Sequence, residues 1–367
     1  MKKLVTGAFA LLAVSMTYAQ SNENTNTQSA GGNTLNVVQG GSFNKNTYTQ
    51  STNNIGDVKQ TGASNTNITQ QSGSGNDAKT VQGDGSSVTA WASNSKVTQT
   101  QGGNANITKA TQNWAGNAEI MQIQSGSDNV LTATQHNRIG IGSKVNQSQT
   151  GTVNTATATQ KGMNTFAGNA MTGQLIDQVQ DGYKNTATGM QESSGVAATY
   201  NKIDQKQDGN LNIVSANQKG NMNTSIQKQD GDSNKAEIAQ AGNNHWTEHT
   251  QDNVNGSLIS GKQNYGSGSR QFATQKNGAG NEIKINQFAD ANYAKLDQTG
   301  SNHTIGGTQQ GTGNNDLRIA QDGIGNKATA MQDGYNNFSN VSQTGATQTH
   351  WGSQQGSGNS IVVTQSN

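Results

Sequence analysis

Apolar side chains are sparse along this chain, but they recur at alternate positions of short segments bounded by Asn and Gln. In the segment from Asn326 to Gln332, Ala328 and Ala330 share one side with the bounding amides, and Lys327, Thr329 and Met331 take the other. The same frame sets Val214 and Ala216 between Asn212 and Gln218, and Ile283 and Ile285 between Asn281 and Gln287. It sets Ala294 and Leu296 between Asn292 and Gln298, Leu317 and Ile319 between Asn315 and Gln321, and Ile361 and Val363 between Asn359 and Gln365. A period of two puts alternate side chains on opposite faces of a strand, whereas helical spacing would scatter them around a cylinder. Each segment is predicted to be a strand of about seven residues with one semi-apolar face.

Four residues separate each Gln from the next Asn, and the second of them is usually Gly. Gly151 precedes Asn154 and Gln160, Gly182 precedes Asn185 and Gln191, and Gly209 precedes Asn212 and Gln218. Gly220 stands before Asn223 and Gln229, and Gly231 before Asn234 and Gln240. Near the end, Gly323 leads to Asn326 and Gln332, and Gly334 to Asn337 and Gln343. Gly supplies the positive φ that a tight reversal requires. The unit is thus a strand plus a turn, about eleven residues in all, and it makes the chain a tandem array.

One strand pair cannot bury a semi-apolar face alone. A meander would leave that face bare, whereas strand-arc-strand rungs that stack along an axis close it within one chain. Stacking also sets Asn over Asn and Gln over Gln, so their amides can form ladders. The expected fold is all-β: a β-solenoid, or cross-β stack, of about fifteen two-strand rungs, about 70 Å long. Residues 33–367 form the array, residues 20–32 a flexible N-terminal segment and residues 1–19 a leader. The template fits less well at Ser64–Gln71, where the register could shift by one, and at Ser87–Ser93 and Asn164–Ala170, which lack the closing Gln. Longer turns are expected at His136–Gly142 and Glu192–Tyr200. The terminal strands keep the interior pattern, and such open edges template another chain; head-to-tail stacking of this kind gives a filament.

Composition changes this picture only at its edges. Hydrophobic residues make up 29% and charged residues 12% of the 367, which without the periodicity would read as disorder. Pro is absent, unlike in most disordered segments. No Cys is present, so neither disulfides nor thiolate metal sites are available. The formal charge is +1, and loss of Lys2 and Lys3 with the leader leaves 21 basic against 22 acidic residues. A near-neutral chain has no field to attract nucleic acid or anionic lipid, and little charge to oppose self-association. Lys2 and Lys3, the apolar run Leu4–Met16, and Thr17, Tyr18 and Ala19 form a secretory signal with expected cleavage after Ala19.

At this point the residues resemble the curlin subunits, the building blocks of curli amyloid fibres on Gram-negative bacteria. Their repeat reads Ser-x5-Gln-x-Gly-x-x-Asn-x-Ala-x3-Gln. Its second half is matched by Gln321, Gly323, Asn326, Ala328 and Gln332, by Gln149, Gly151, Asn154, Ala156 and Gln160, and by Gln180, Gly182, Asn185, Ala187 and Gln191. The slot that is usually Ser in curlins is more often Asn here, and the array is about three times longer than is typical. The resemblance implies secretion through a dedicated outer-membrane pore, assembly started by a nucleator subunit, and a role in biofilm matrix and adhesion. It also implies that turn residues such as Asp181, Asp208, Asp230, Asp322 and Asp333 slow premature assembly, although Asp is equally ordinary turn chemistry.

Catalytic and metal chemistry finds little support. His245 and His249 are four apart with Glu248 between them, but on a strand that spacing is ~13 Å, too far for one ion. His245 and His303 are expected to fill Asn slots. Acidic residues form no recurrent acid–base pair, and Gly266–Arg270 lacks the context of a phosphate loop. No enzyme activity, cofactor or metal is expected. The leading function is a self-assembling fibre subunit, and the alternative is a monomeric secreted β-solenoid adhesin or ice-binding protein. An ice-binding face would need a broad array of outward Thr. Thr155, Thr157 and Thr159 make one row, with Val130, Thr132 and Thr134 expected on one side and Leu175, Asp177 and Val179 on the other.

Overall fold

The computed structural model describes residues 21–83, 92–139, 142–162, 172–192 and 199–367. The signal sequence and all of Asn164–Ala170 lie outside them, as do residues 87–91 of Ser87–Ser93, 140–141 of the expected turn at His136–Gly142 and 193–198 of that at Glu192–Tyr200. The described residues form an all-β solenoid of two long parallel sheets, with a short parallel pair of Gly62–Ala63 and Ala92–Ser93, and contain no helix. The first sheet has fifteen strands, from Glu23–Gln28 to Ser360–Ser366, and the second has fourteen, from Thr34–Gln39 to Thr349–Ser357. The chain alternates between them, and each strand pairs in register with the next strand of its own sheet. Thus Thr186–Glu192 lies over Thr155–Lys161, with Gln191 on Gln160, and Lys327–Tyr335 lies against Thr349–Ser357, with Gln332 on Gln354.

The inner faces make the core. Val97, Ile120, Val145, Ile176 and Ile203 of the first sheet meet Ala110, Ala133, Ala158, Ala216 and Ile238 of the second. A second block runs from Ile259 through Ile283, Leu296, Ile305 and Leu317 to Val341. Small inner residues make room for large ones opposite. A Cβ on Gly56 would collide with Tyr48, and one on Gly307 would lie 2.8 Å from Leu317.

Pairing does not stop at the predicted seven residues. Leu175–Tyr183 pairs with Lys202–Asn210 straight through Gly182 and Gly209. Identical arcs stacked in parallel keep their backbone groups aligned, so the ladder continues into the turn. The array also starts earlier than expected: Glu23–Gln28, within the segment read as flexible, is a strand paired with Lys45–Gln50. Its Asn24 and Asn26 face Asn46 and Tyr48, and without apolar alternation it could not be recognised from pattern. At Ser64–Gln71 the register is fixed by Ser64, which takes φ 58° and leaves Asn65 as the inward residue. The strand Val130–Ile139 runs through the expected turn at His136.

The Thr row has a different neighbour from the one expected. Thr155, Thr157 and Thr159 lie beside Thr186, Thr188 and Met190, not beside Leu175, Asp177 and Val179, which belong to the other sheet. Among the described strands, Thr155–Lys161 pairs with Val130–Ile139 on one side and Thr186–Glu192 on the other, all three in the second sheet. The row is bounded by Ile107, Lys109 and Thr111 on one side and Ile213, Ser215 and Asn217 on the other, so it stays a short patch.

Each arc also requires a left-handed residue just before its inward Asn. Asn244, Asn302 and Asn336 fill that place comfortably at φ 55°, 58° and 54°, but Val153 holds φ 60° with a branched Cβ. Val153→Asn is expected to stabilise the fold by about 1 kcal/mol, read as a rise in denaturation midpoint at unchanged slope.

Candidate functional site: the amide ladders and the rung ends

The terminal Gln of each strand is buried and hydrogen-bonded along the stack. In the second sheet the Gln160 side-chain amide donates to Gln191 Oε1 at 3.0 Å, Gln191 to Gln218 at 3.0 Å and Gln218 to Gln240 at 2.9 Å. The other hydrogen of each amide crosses the interior, as from Gln160 to the Lys144 carbonyl at 3.0 Å and from Gln191 to that of Leu175 at 3.0 Å. Such a Gln ties its own sheet together and clamps it to the other, whereas Gln124, Gln149, Gln180 and Gln207 bond only along the stack. The second-sheet ladder runs from Gln39 on Gln60 at 2.8 Å to Gln332 on Gln354 at 2.9 Å. The first-sheet ladder runs from Gln28 on Gln50 at 2.9 Å, through Gln207 on Gln229 at 3.0 Å, to Gln343 on Gln365 at 2.7 Å. Buried amides of this kind are stabilising only when fully paired, and here the stack supplies the partner.

The Asn positions act differently from the expected ladder. Asn185 Nδ2 donates to the Asp181 carbonyl at 2.9 Å and to the Gly209 carbonyl at 2.7 Å, while its Oδ1 accepts from the Asn212 backbone N–H at 2.9 Å. Asn154, Asn212, Asn326 and Asn337 repeat this set. Asn223 also donates to the Lys219 and Gly242 carbonyls, and Asn234 to that of Val254. The Asn side chain is one methylene shorter than Gln, so its amide reaches the arc backbone before it reaches the next amide. These residues are arc clamps. Asn359, in the last rung, is an exception in donating to the Asn337 side chain at 3.1 Å.

His303 serves as such a clamp: its Nε2 lies 2.9 Å from the Thr299 carbonyl, and its Nδ1 accepts from the Asn326 N–H at 3.2 Å. His245 takes the slot through its backbone N–H, which donates to Asn223 Oδ1 at 3.0 Å, but both of its ring nitrogens lack partners. The turn glycines stack as well. Gly151, Gly182, Gly209, Gly220, Gly231, Gly323 and Gly334 hold φ between 104° and 125°, and a Cβ on any of them would run into the carbonyl of the next stacked glycine, or of Val254 in the case of Gly231.

Sequence reasoning missed a third ladder. Gln99, Gln122, Gln147, Gln178, Gln205 and Gln227 point inward two residues before the terminal Gln and are linked at 2.7–3.0 Å. Its signal was the Gln-x-Gln spacing, as at Gln178 and Gln180, in strands where the second apolar residue is missing. The ladder stops at His249, which is in register with Gln227 and is fully buried with both ring nitrogens unpartnered. Burial pushes its pKa down to about 3.

Outward charges pair across rungs, as when Glu119 lies 3.4 Å from both Lys96 and Lys144. Such exposed pairs favour register but add only a few tenths of a kcal/mol. No group of three or more candidate metal ligands occurs among the described residues. None of their elements is a helix long and apolar enough to cross a membrane.

The fold and its repeating amides thus define a β-solenoid built on stacked polar rungs. Residues 312–345 match the family model of the Curlin associated repeat, a stretch that runs from the arc before Asn315 to the turn glycine Gly345. The chain therefore carries a curlin-like repeat, and its architecture points to a structural protein. A search of curated proteins gave no match.

Proposed function

We propose that this chain is the structural subunit of an extracellular, curli-like amyloid fibre that grows by end-to-end stacking of rungs and serves biofilm matrix and adhesion. The observation that carries this reading is the polarity of the Gln ladders. They reach the outermost described strands at both ends, with every donor pointing toward higher residue numbers. One end therefore offers amide oxygens at Gln28 and Gln39, and the other offers amide hydrogens at Gln354 and Gln365. Head-to-tail joining of a second copy extends the ladders in the same polarity, and such a contact does not close. By resemblance to curlins, a nucleator subunit and an outer-membrane secretion pore are the partners.

The test is a thioflavin T time course on the chain from Gln20 onward after removal of denaturant, with and without preformed seeds. A lag abolished by seeds is the expected result. A flat trace from a folded monomer would overturn the reading and favour a monomeric adhesin.

Three of the turn aspartates lie in one column: Asp181 pairs with Asp208, and Asp208 with Asp230. Asp322 instead lies between Thr299 and Thr344, and Asp333 between Gln310 and Gln355. Stacked like charges oppose rung closure. Asp208→Asn is therefore expected to shorten the lag roughly two- to five-fold at low salt, with the gain fading as salt screens the column. Asp322→Asn should change it much less.

A further inference from the structure

The two sheets do not have the same number of strands, and this constrains the joint between copies whose like sheets are aligned. The Gln amides that cross the interior fix the order along the axis. Gln39 donates to the Glu23 carbonyl at 3.1 Å and Gln50 to that of Thr34 at 3.2 Å; at the far end Gln354 donates to Phe338 at 2.8 Å and Gln365 to Thr349 at 3.3 Å. Strands of the two sheets therefore alternate in height, and the described array both starts and finishes on a first-sheet strand. If Ser360–Ser366 of one copy were laid on Glu23–Gln28 of the next, two first-sheet strands would meet with no second-sheet strand between them. The second sheet would then carry a one-strand gap at every joint.

Resting on the fibre reading above, we infer that Ser360–Ser366 of one copy displaces Glu23–Gln28 of the next and pairs directly with its Lys45–Gln50. The strand order then alternates without a break, and each copy contributes fourteen strands to each sheet within the fibre. The first-sheet ladder continues from Gln365 to Gln50, and the second-sheet ladder from Gln354 to Gln39. The side chains favour the exchange. The leaving strand presents Asn24, Asn26 and Gln28 inward, whereas the incoming one presents Ile361, Val363 and Gln365. Leu35 and Val37, half-buried beside Tyr48 and Val58, then gain apolar neighbours, and Ile361 and Val363, half-buried in the single copy, are covered. The cost falls on Asn46, whose Nδ2 gives up Asn24 Oδ1 at 2.8 Å and Asn26 Oδ1 at 3.1 Å, and on Lys45, which gives up its exposed ion pair with Glu23 at 3.1 Å. The leaving strand is held weakly, since all six of its residues are exposed.

The chain has no Cys, so the joint can be read with paired cysteines on exposed outward positions. Direct pairing with Lys45–Gln50 sets Thr364 beside Thr49, whereas simple stacking sets it beside Thr27. Neighbouring Cα atoms at ~4.8 Å suit a disulfide. Full-length Thr364→Cys/Thr49→Cys and Thr364→Cys/Thr27→Cys variants are assembled and mildly oxidised. Intermolecular disulfide in the first variant only, with amide-exchange protection lost at Glu23–Gln28 and gained at Ser360–Ser366 in fibres, is the expected result. Cross-linking in the second variant, or in neither while fibres form, would overturn the exchange and leave the fibre reading intact. Absence of fibres in the unsubstituted chain would overturn the fibre reading itself.

Discussion

Gly182→Ala is expected to destabilise the array by about 3 kcal/mol or more, while the same change at Gly256 costs about 1 kcal/mol. Gly182 holds φ 113°, a region that side-chain-bearing residues rarely enter, and a new Cβ would collide with the Gly209 carbonyl of the next rung and lie 3.3 Å from Asn185 Nδ2. Neither neighbour can withdraw. The Gly209 carbonyl accepts from Asn185, and Asn185 in turn holds the Asn212 backbone. Gly256 holds φ 58°, in the ordinary left-handed region, and a Cβ there would meet nothing within 4 Å. A solenoid is stabilised rung by rung through neighbour contacts, so the break at Gly182 should divide it and give two unfolding steps. Denaturant unfolding of the two variants measures this. Equal losses would mean that the stacked arcs contribute nothing beyond backbone strain.

That contrast shows how much of the molecule could be read beforehand. Strand positions and the choice of a parallel stack followed from a period-two pattern with one arc solution. Two things were not legible. The role of Asn against Gln depends on one methylene of reach, which decides whether an amide meets its stacked copy or the arc backbone, and a residue pattern carries no such distance. The partner of the Thr155 row depends on which strands share a sheet, an issue of topology rather than local chemistry. The third ladder is written in the sequence as Gln-x-Gln, but an expectation of apolar inward positions hides it. Glu23–Gln28 escaped because its inward side is entirely polar, and its pairing depends on the neighbour Asn46.

His249 is where the third ladder fails, and it should make the fold acid-sensitive. Its ring lies between Gln227 and Ala273 in the stack, and with Gln271 Oε1 it fills the space left by the missing Cβ of Gly261. Neither ring nitrogen nor Gln271 Oε1 has a partner. Burial lowers its pKa from 6.5 to about 3. The unfolded chain therefore takes up a proton below pH 6.5 that the folded chain refuses until about pH 3. Its contribution is complete above pH 6.5 and is lost as pH falls between those values, by about 1.4 kcal/mol per unit and on the order of 5 kcal/mol in total. His245 and His350, also pushed down by burial, add to the same slope. His249→Gln should remove the largest part of it. The new amide is in register with Gln227 and by the offset of its neighbours reaches the Glu237 carbonyl, so the ladder gains a rung and loses its titrating group. Denaturant midpoints of the two proteins between pH 7 and 4 should diverge steadily as pH falls. Parallel profiles would mean that water already reaches the ring beside Gly261 and solvates the imidazolium, and that the interior of this rung is not dry.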